Sequence, residues 1–197
     1  MGQWRITKHS SSFRQQAASI GPGCARPFNK NALLLKNSMK LRKFTIRDAK
    51  RVASLVGDES VSKWTSNIPF PYVEQDAIEW INDTATNLDR HPFAVEINGE
   101  IVACVSFWLN GENTIEVGYW VGKSYWGQGI CTKALSMLMS QDFFPKKCDV
   151  MARVMEGNYG SERVLQKCGY TLSENCTIKK SGKNFKGKLF VYRAAGS

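Results

Sequence analysis

Ile115 to Leu138 reads IEVGYWVGKSYWGQGICTKALSML, and its hydrophobic period changes partway along. Ile115, Val117, Tyr119 and Val121 alternate with Glu116, Gly118 and Trp120, the period of a β-strand. From Ile130 onward, Ile130, Ala134, Leu135 and Leu138 fall at helical spacing. Between them lie Gly127 and Gly129, so the glycines mark the point where a strand hands over to the first turn of a helix. Backbone N–H groups at such a start have no partner inside the helix, point the same way, and sit at the positive end of the helix dipole. The stretch is therefore expected to seat a phosphate. It is neither a P-loop, since G-x-x-x-x-G-K-[ST] is absent, nor a Rossmann turn, since no third glycine follows at the required spacing.

A second pattern lies downstream: Asn158, Ser161, Val164, Leu165, Lys167, Gly169 and Tyr170, in the order N-x-x-S-x-x-V-L-x-K-x-G-Y. Taken with W-G-Q-G-I-C-T-K-A at Trp126 to Ala134, it resembles the GNAT superfamily of N-acetyltransferases. Within it, the bacterial RimJ- and RimL-like branch that acetylates the N-termini of ribosomal proteins is the nearest match. The resemblance runs from Met39 to Arg193. It implies one α+β domain, a twisted, mixed and mostly antiparallel sheet of about seven strands flanked by about four helices.

Periodicity supports that order independently. Met39 to Ile46 alternates as a strand, Arg47 to Leu55 and Val73 to Leu88 read as helices, and residues 60 to 72 are too broken by Pro69 and Pro71 for regular structure. Phe93 to Ile97 and Ile101 to Leu109 form a hairpin turned at Asn98-Gly99. After the organising strand and helix come a strand at Asp149 to Met155 and a helix from Tyr159 to Lys167 stopped by Gly169. Strands near Tyr170 to Ile178 and Phe185 to Arg193 close the chain.

Composition narrows the function classes. With 197 residues and 43% hydrophobic content the chain can bury one good core. No apolar run is long enough to span a bilayer and no signal-peptide h-region is visible, so a cytoplasmic protein is expected. The six cysteines form no C-x-x-C and no zinc spacing, and His9 and His91 are the sole histidines, so no metal site is expected.

The formal charge of +10 is unevenly placed: of 27 Lys and Arg, those from Arg5 to Arg47 precede any acidic residue, while all 17 acids lie from Asp48 onward. Direct nucleic-acid binding by the body is therefore not expected. Residues 1 to 38 read as a flexible basic leader, whether tag or upstream sequence, a targeting segment, or a nucleic-acid arm. The first of these is expected, with Met39 opening an acetyltransferase domain over residues 39 to 197. N-myristoylation is excluded by Ile6, which stands where Ser or Thr is needed.

Acetyl transfer from a thioester to an amine needs a held donor, a deprotonated amine, a stabilised oxyanion and a protonated leaving thiolate. By resemblance, Trp126, Gly127, Gln128, Gly129, Ile130, Cys131 and Thr132 hold the diphosphate of coenzyme A, and Asn158 holds its pantetheine arm. Trp126 stands where many members carry Arg or Gln, and Cys131 where they carry Gly or Ala.

Glu116 is the candidate base, on one strand face with Gly118, whose missing side chain would let a ligand lie against the backbone. The backbone of Val117 or Gly118 is the expected oxyanion donor if the next strand splays away. The resemblance implies that Ser161 lies near the sulfur as a hydrogen-bond donor or acid. Many relatives place a Tyr acid one residue after the helix Leu, where this chain has Gln166, so either Tyr170 or Ser161 takes that role or the thiolate leaves unassisted. Trp64, Tyr72, Phe107 and Trp120 are expected to line the acceptor mouth, along with Phe70 and Trp108.

The leading expectation is an acetyl-CoA-dependent N-acetyltransferase acting on a protein N-terminal α-amine, as a monomer or homodimer. Alternatives are a small-molecule amine acceptor (polyamine, amino sugar or amino acid) and a non-catalytic acyl-CoA sensor.

Overall fold

Asn98 and Gly99 take φ of 53° and 85°, the left-handed pair that a two-residue hairpin demands, and they join β2 (Arg90–Ile97) to β3 (Glu100–Leu109). Ser181 and Gly182, at 47° and 74°, do the same for β6 (Thr171–Lys180) and β7 (Lys183–Tyr192). The computed structural model describes residues 39–87, 89–110 and 114–193. The leader expected at 1 to 38 lies outside them.

β1 (Lys40–Arg42) opens a seven-stranded sheet of order β1-β2-β3-β4-β5-β7-β6, with β4 (Thr114–Val121) and β5 (Asp149–Met155) at its middle. Every neighbouring pair is antiparallel except β4–β5. Against this sheet pack α1 (Ala49–Val56), α2 (Glu59–Ser62), α3 (Glu74–Thr86), α4 (Ile130–Ser140) and α5 (Tyr159–Lys167).

The first strand is shorter than its alternation implies. Thr45 donates its backbone N–H to Asp48 Oδ2 at 2.7 Å, and Arg42 grips both Asp48 oxygens at 2.8 and 2.9 Å. This cap turns the chain into a 3₁₀ turn, Ile46–Asp48, ahead of α1. The one-turn α2 was not expected among the prolines; Asp58 starts it by accepting the Ser60 N–H at 2.8 Å.

Alternation along the strands divides the core in two. On one face Val105, Phe107, Ile115 and Val117 meet Ile130, Ala134, Leu135 and Leu138 of α4. On the other, Ala94, Cys104 and Trp120 meet Val52, Leu55 and Val56 of α1 and Ala77 and Ile81 of α3. Among the described residues no helix is long and apolar enough to cross a membrane.

The feature that positions the site is the parallel pair. β4 and β5 match only at Thr114–Asp149, Ile115–Val150 and Glu116–Met151. Beyond Glu116, β5 continues against β7 while β4 continues against β3, so the sheet splits between its two central strands. The starts of α4 and α5 both open onto the cleft this leaves.

Candidate active site

The cleft is a cavity of about 1190 Å³ running from α3 and the 64–72 loop to the starts of α4 and α5. At one end lies the glycine turn. Gly127 and Gly129 have φ of 75° and 74°, and a Cβ built on either meets nothing within 4 Å. Glycine is thus required there by backbone conformation, and the space beside it stays open.

Trp126 N–H bonds Lys123 O and Lys133 N–H bonds Gly129 O, but the amides of Gly127 to Thr132 between them have no acceptor among the described residues. Gly127, Gly129, Ile130, Cys131 and Thr132 all line the cavity. Donors arranged this way at the start of an eleven-residue helix suit a diphosphate, and no acceptor among the described residues competes for them. Burial pushes the Cys131 thiol up to about 12, so it stays a neutral filler under the turn. The Trp126 indole donates to Val121 O at 2.9 Å and pins the turn to the end of β4.

Glu116 is 7% exposed and lines the cavity. Its Oε2 is bonded by Arg153 Nη1 and accepts from Asn110 Nδ2 at 3.1 Å; Oε1 takes neither contact. Burial raises its pKa, and the charges of Arg153 and Arg90 oppose but do not cancel the rise. A carboxylate so placed suits proton removal better than an exposed one does.

Across the cleft, Tyr119 OH lies 2.8 Å from Ser161 Oγ and also donates to Ser161 O at 3.2 Å. Burial raises the phenol's pKa, so it remains a proton carrier at neutral pH. Asn158 Oδ1 accepts the Ser161 N–H at 3.2 Å, which makes Asn158 the N-cap of α5 as well as a cavity residue.

Residues 38–171 match the family model described as acetyltransferase (GNAT) domain. The chain belongs to the GNAT acetyltransferase family, and this domain is an acyltransferase of that type. A curated relative, the uncharacterized N-acetyltransferase p20 of Bacillus licheniformis, is 26% identical over 144 residues, which is 70% of this chain and 81% of the relative. Similar solved structures include Mycobacterium smegmatis RimJ in complex with CoA-disulfide, at TM-score 0.68 and 21% identity, covering 78% of this chain and 81% of that one. The microcin C7 self-immunity acetyltransferase MccE, in complex with acetyl-CoA and AMP, aligns at TM-score 0.69 and 19% identity over 80% of this chain and 93% of its own. RimL, a ribosomal L7/L12 α-N-protein acetyltransferase in complex with coenzyme A, aligns at TM-score 0.69 and 14% identity over 82% and 97%. At these identities the solved structures speak to fold.

Within this GNAT domain several residues expected at the site do meet in one cavity: Glu116, Val117, Gly118, Trp126, the glycine turn, Asn158, Ser161, Trp64, Tyr72 and Trp120. Others stand elsewhere. Tyr170, expected as an alternative acid, is 2% exposed, donates to Met139 Sδ at 3.4 Å, packs on Tyr192 and does not reach the cleft. Phe107, expected at the acceptor mouth, is stacked on His91 at 4.5 Å in the α4-side core; Ser106 and Trp108, one residue to either side, point to the cleft instead. Gln128 does not line the cavity, and its amide turns back to Ser124 O at 3.1 Å.

Gly118 also differs from its expected use. A Cβ there would sit 3.0 Å from the Trp108 ring, so the missing side chain admits Trp108 rather than a ligand.

Three cavity residues, Tyr119, Arg153 and Arg90, and one partner of Glu116, Asn110, were missed. Tyr119 alternates with Val117 and Val121 and so reads as apolar. Arg153 is the lone cation of a strand and Arg90 begins one, ordinary signals for solvent. Asn110 follows the end of β3, and no spacing ties it to Glu116.

Proposed function

We propose that this domain transfers an acetyl group from acetyl-CoA to a primary amine, and that the amine is the N-terminal α-amine of a protein of ribosomal-protein type, in the cytoplasm. The observation that carries the proposal is the pairing, in one cleft, of unbonded amides at Gly127 to Thr132 with the buried, pKa-raised carboxylate of Glu116. When bound, acetyl-CoA would supply an activated thioester carbonyl. Gly127, Gly129, Ile130, Cys131 and Thr132 would hold its diphosphate through the backbone, and Asn158 its pantetheine arm.

The protein's own groups divide the remaining work. Glu116 Oε1 accepts a proton from the incoming ammonium, while Arg153 and Asn110 fix the carboxylate through Oε2. The part of β4 beyond Glu116 has lost β5 as a partner, which favours the Val117–Gly118 backbone as donor to a carbonyl oxygen gaining charge. The Tyr119–Ser161 pair keeps a proton at the α5 end of the cleft for the departing sulfur. An α-amine, with a reference pKa of about 7.7 to 8.0, leaves a smaller proton-transfer gap to a raised Glu than lysine at about 10.4. The likeness in fold to RimJ and RimL supports the same acceptor class.

The test is a panel of amine acceptors, including N-terminal peptides of ribosomal proteins, lysine-containing peptides with blocked N-termini, polyamines and amino sugars, scored for thiol release. Turnover confined to free-N-terminal peptides is expected; turnover confined to polyamines or sugars would overturn the acceptor assignment.

A further inference from the structure

We infer that the acceptor carries an anionic group close to its reacting amine, and that Arg153 and Arg90 form the subsite that receives it. This rests on the amine-acetyltransferase reading above and adds the chemistry of the acceptor to it.

The charge around Glu116 is the wrong sign for a plain cationic amine. One carboxylate there faces two guanidinium groups, Arg153 bonded to it and Arg90 within electrostatic reach, and both line the cavity. Arg153 spends only Nη1 on Glu116; among the described residues its other guanidinium N–H groups meet no acceptor, and its side chain is 40% exposed. Arg90 lies over the Trp108 ring, 5.8 Å from its centroid, with no ion pair or hydrogen bond among the described residues. An aromatic face under a guanidinium orients it without using its donors.

The other carboxylates on the cavity wall, Asp76 and Glu79, belong to α3 and are engaged there, by Val73 N–H at 2.7 Å and Gln75 Nε2 at 3.0 Å. Two guanidinium groups with donors to spare, one on either side of Glu116 and both on the cavity wall, suit a carboxylate or similar anion.

These cations are not placed for the donor's diphosphate. Arg90 pairs with Trp108 and Trp108 with Glu116, so all three share one level of the sheet. The glycine turn begins only after Val121, about 16 Å further along β4 at ~3.3 Å per residue. Arg163 and Lys167, on α5, line the other side of the cavity.

The anion could be an acidic side chain near a protein N-terminus or the carboxylate of a free amino acid, and the experiment separates these. Thiol release by the 197-residue chain is measured with peptides Ala-Asp-, Ala-Asn- and Ala-Lys-, identical thereafter, and with free aspartate and glutamate, for the unaltered chain and Arg90→Gln. A kcat/KM about tenfold higher for the Asp than the Lys peptide is expected, with Asn between. Arg90→Gln should cut that ratio several-fold, mainly through KM. Turnover of free aspartate or glutamate alone would uphold the anion subsite and overturn the peptide reading. Equal turnover of the three peptides, or an equal loss on all three in Arg90→Gln, would overturn the inference while leaving N-terminal acetylation standing.

Discussion

Glu116 owes its character to opposed effects at one carboxyl: removal from water raises its pKa, and Arg153, Arg90 and Trp108 pull it back without prevailing. As the proposed base, Glu116 works deprotonated, so kcat/KM should fall as pH drops through a value raised above its ordinary one. The same shift acts on stability with the opposite sign. The folded state holds its proton to higher pH than the unfolded chain, so the cost of the buried charge is absent below the unfolded pKa and complete above the folded one. Glu116→Gln should lower kcat/KM at neutral pH about 10²-fold or more and erase the acidic limb of the profile, with donor affinity by calorimetry nearly unchanged. An unaltered limb would remove Glu116 from the base role. For Tyr119, replacement by Phe removes a hydroxyl 2.8 Å from Ser161 Oγ. We expect kcat to fall at least tenfold while stability drops by about 1 kcal/mol, and Tyr119→Phe with Ser161→Ala should lose less than the two separate losses combined, because the groups share one proton position. Full additivity in a double-mutant cycle would break that link.

Among the elements, α4 carries two duties on opposite sides. Its buried side, Ile130, Ala134, Leu135 and Leu138, fastens it to the sheet, and its first turn offers unbonded amides to the cleft. The duties separate at Gly129. A Cβ there meets no neighbour, yet the φ of 74° is strained for any residue with a side chain. Gly129→Ala should therefore cost about 1–2 kcal/mol in denaturant unfolding, and should weaken coenzyme A binding by more than that strain accounts for, since the amides must shift to relieve it. Gly129→Val should exaggerate both effects. Calorimetry showing undiminished coenzyme A affinity in a folded Gly129→Ala protein would take the turn out of the donor site. Leu135 has no exposed surface, and Leu135→Ala should cost about 2–5 kcal/mol while leaving the affinity of the remaining folded protein intact.

At the scale of the whole molecule, the +10 charge is carried ahead of Asp48, partly in residues 1 to 38 and partly at Lys40, Arg42, Lys43 and Arg47, and charges balance from Asp48 onward. Among the described residues, all of which follow Ser38, a seven-stranded fold and its cavity are complete enough to hold every candidate site group. Deleting residues 1 to 38 should leave thiol release and coenzyme A affinity within about twofold; an additivity error of ~0.5 kcal/mol is of that size. A collapse of activity in a folded, truncated protein would assign the leader a role in catalysis. Sequence alone determined the order of the strands and of every helix but the one-turn α2, the Asn98-Gly99 hairpin, the glycine turn and Glu116 as a strand carboxylate, because these are set by local period, by turn chemistry and by short patterns that need no partner to be read. Tertiary structure decided what depended on contacts between distant segments. Phe107 and Trp108 differ by one residue, yet the pleat sends one to the core and the other over Gly118. Tyr170 was lost to a sulfur on α4, and Tyr119 was gained because α5 brings Ser161 to its hydroxyl. Arg153 joined the cavity wall only where β5 leaves β4, since a split in a sheet is a relation between two strands, and neither strand's own sequence records it.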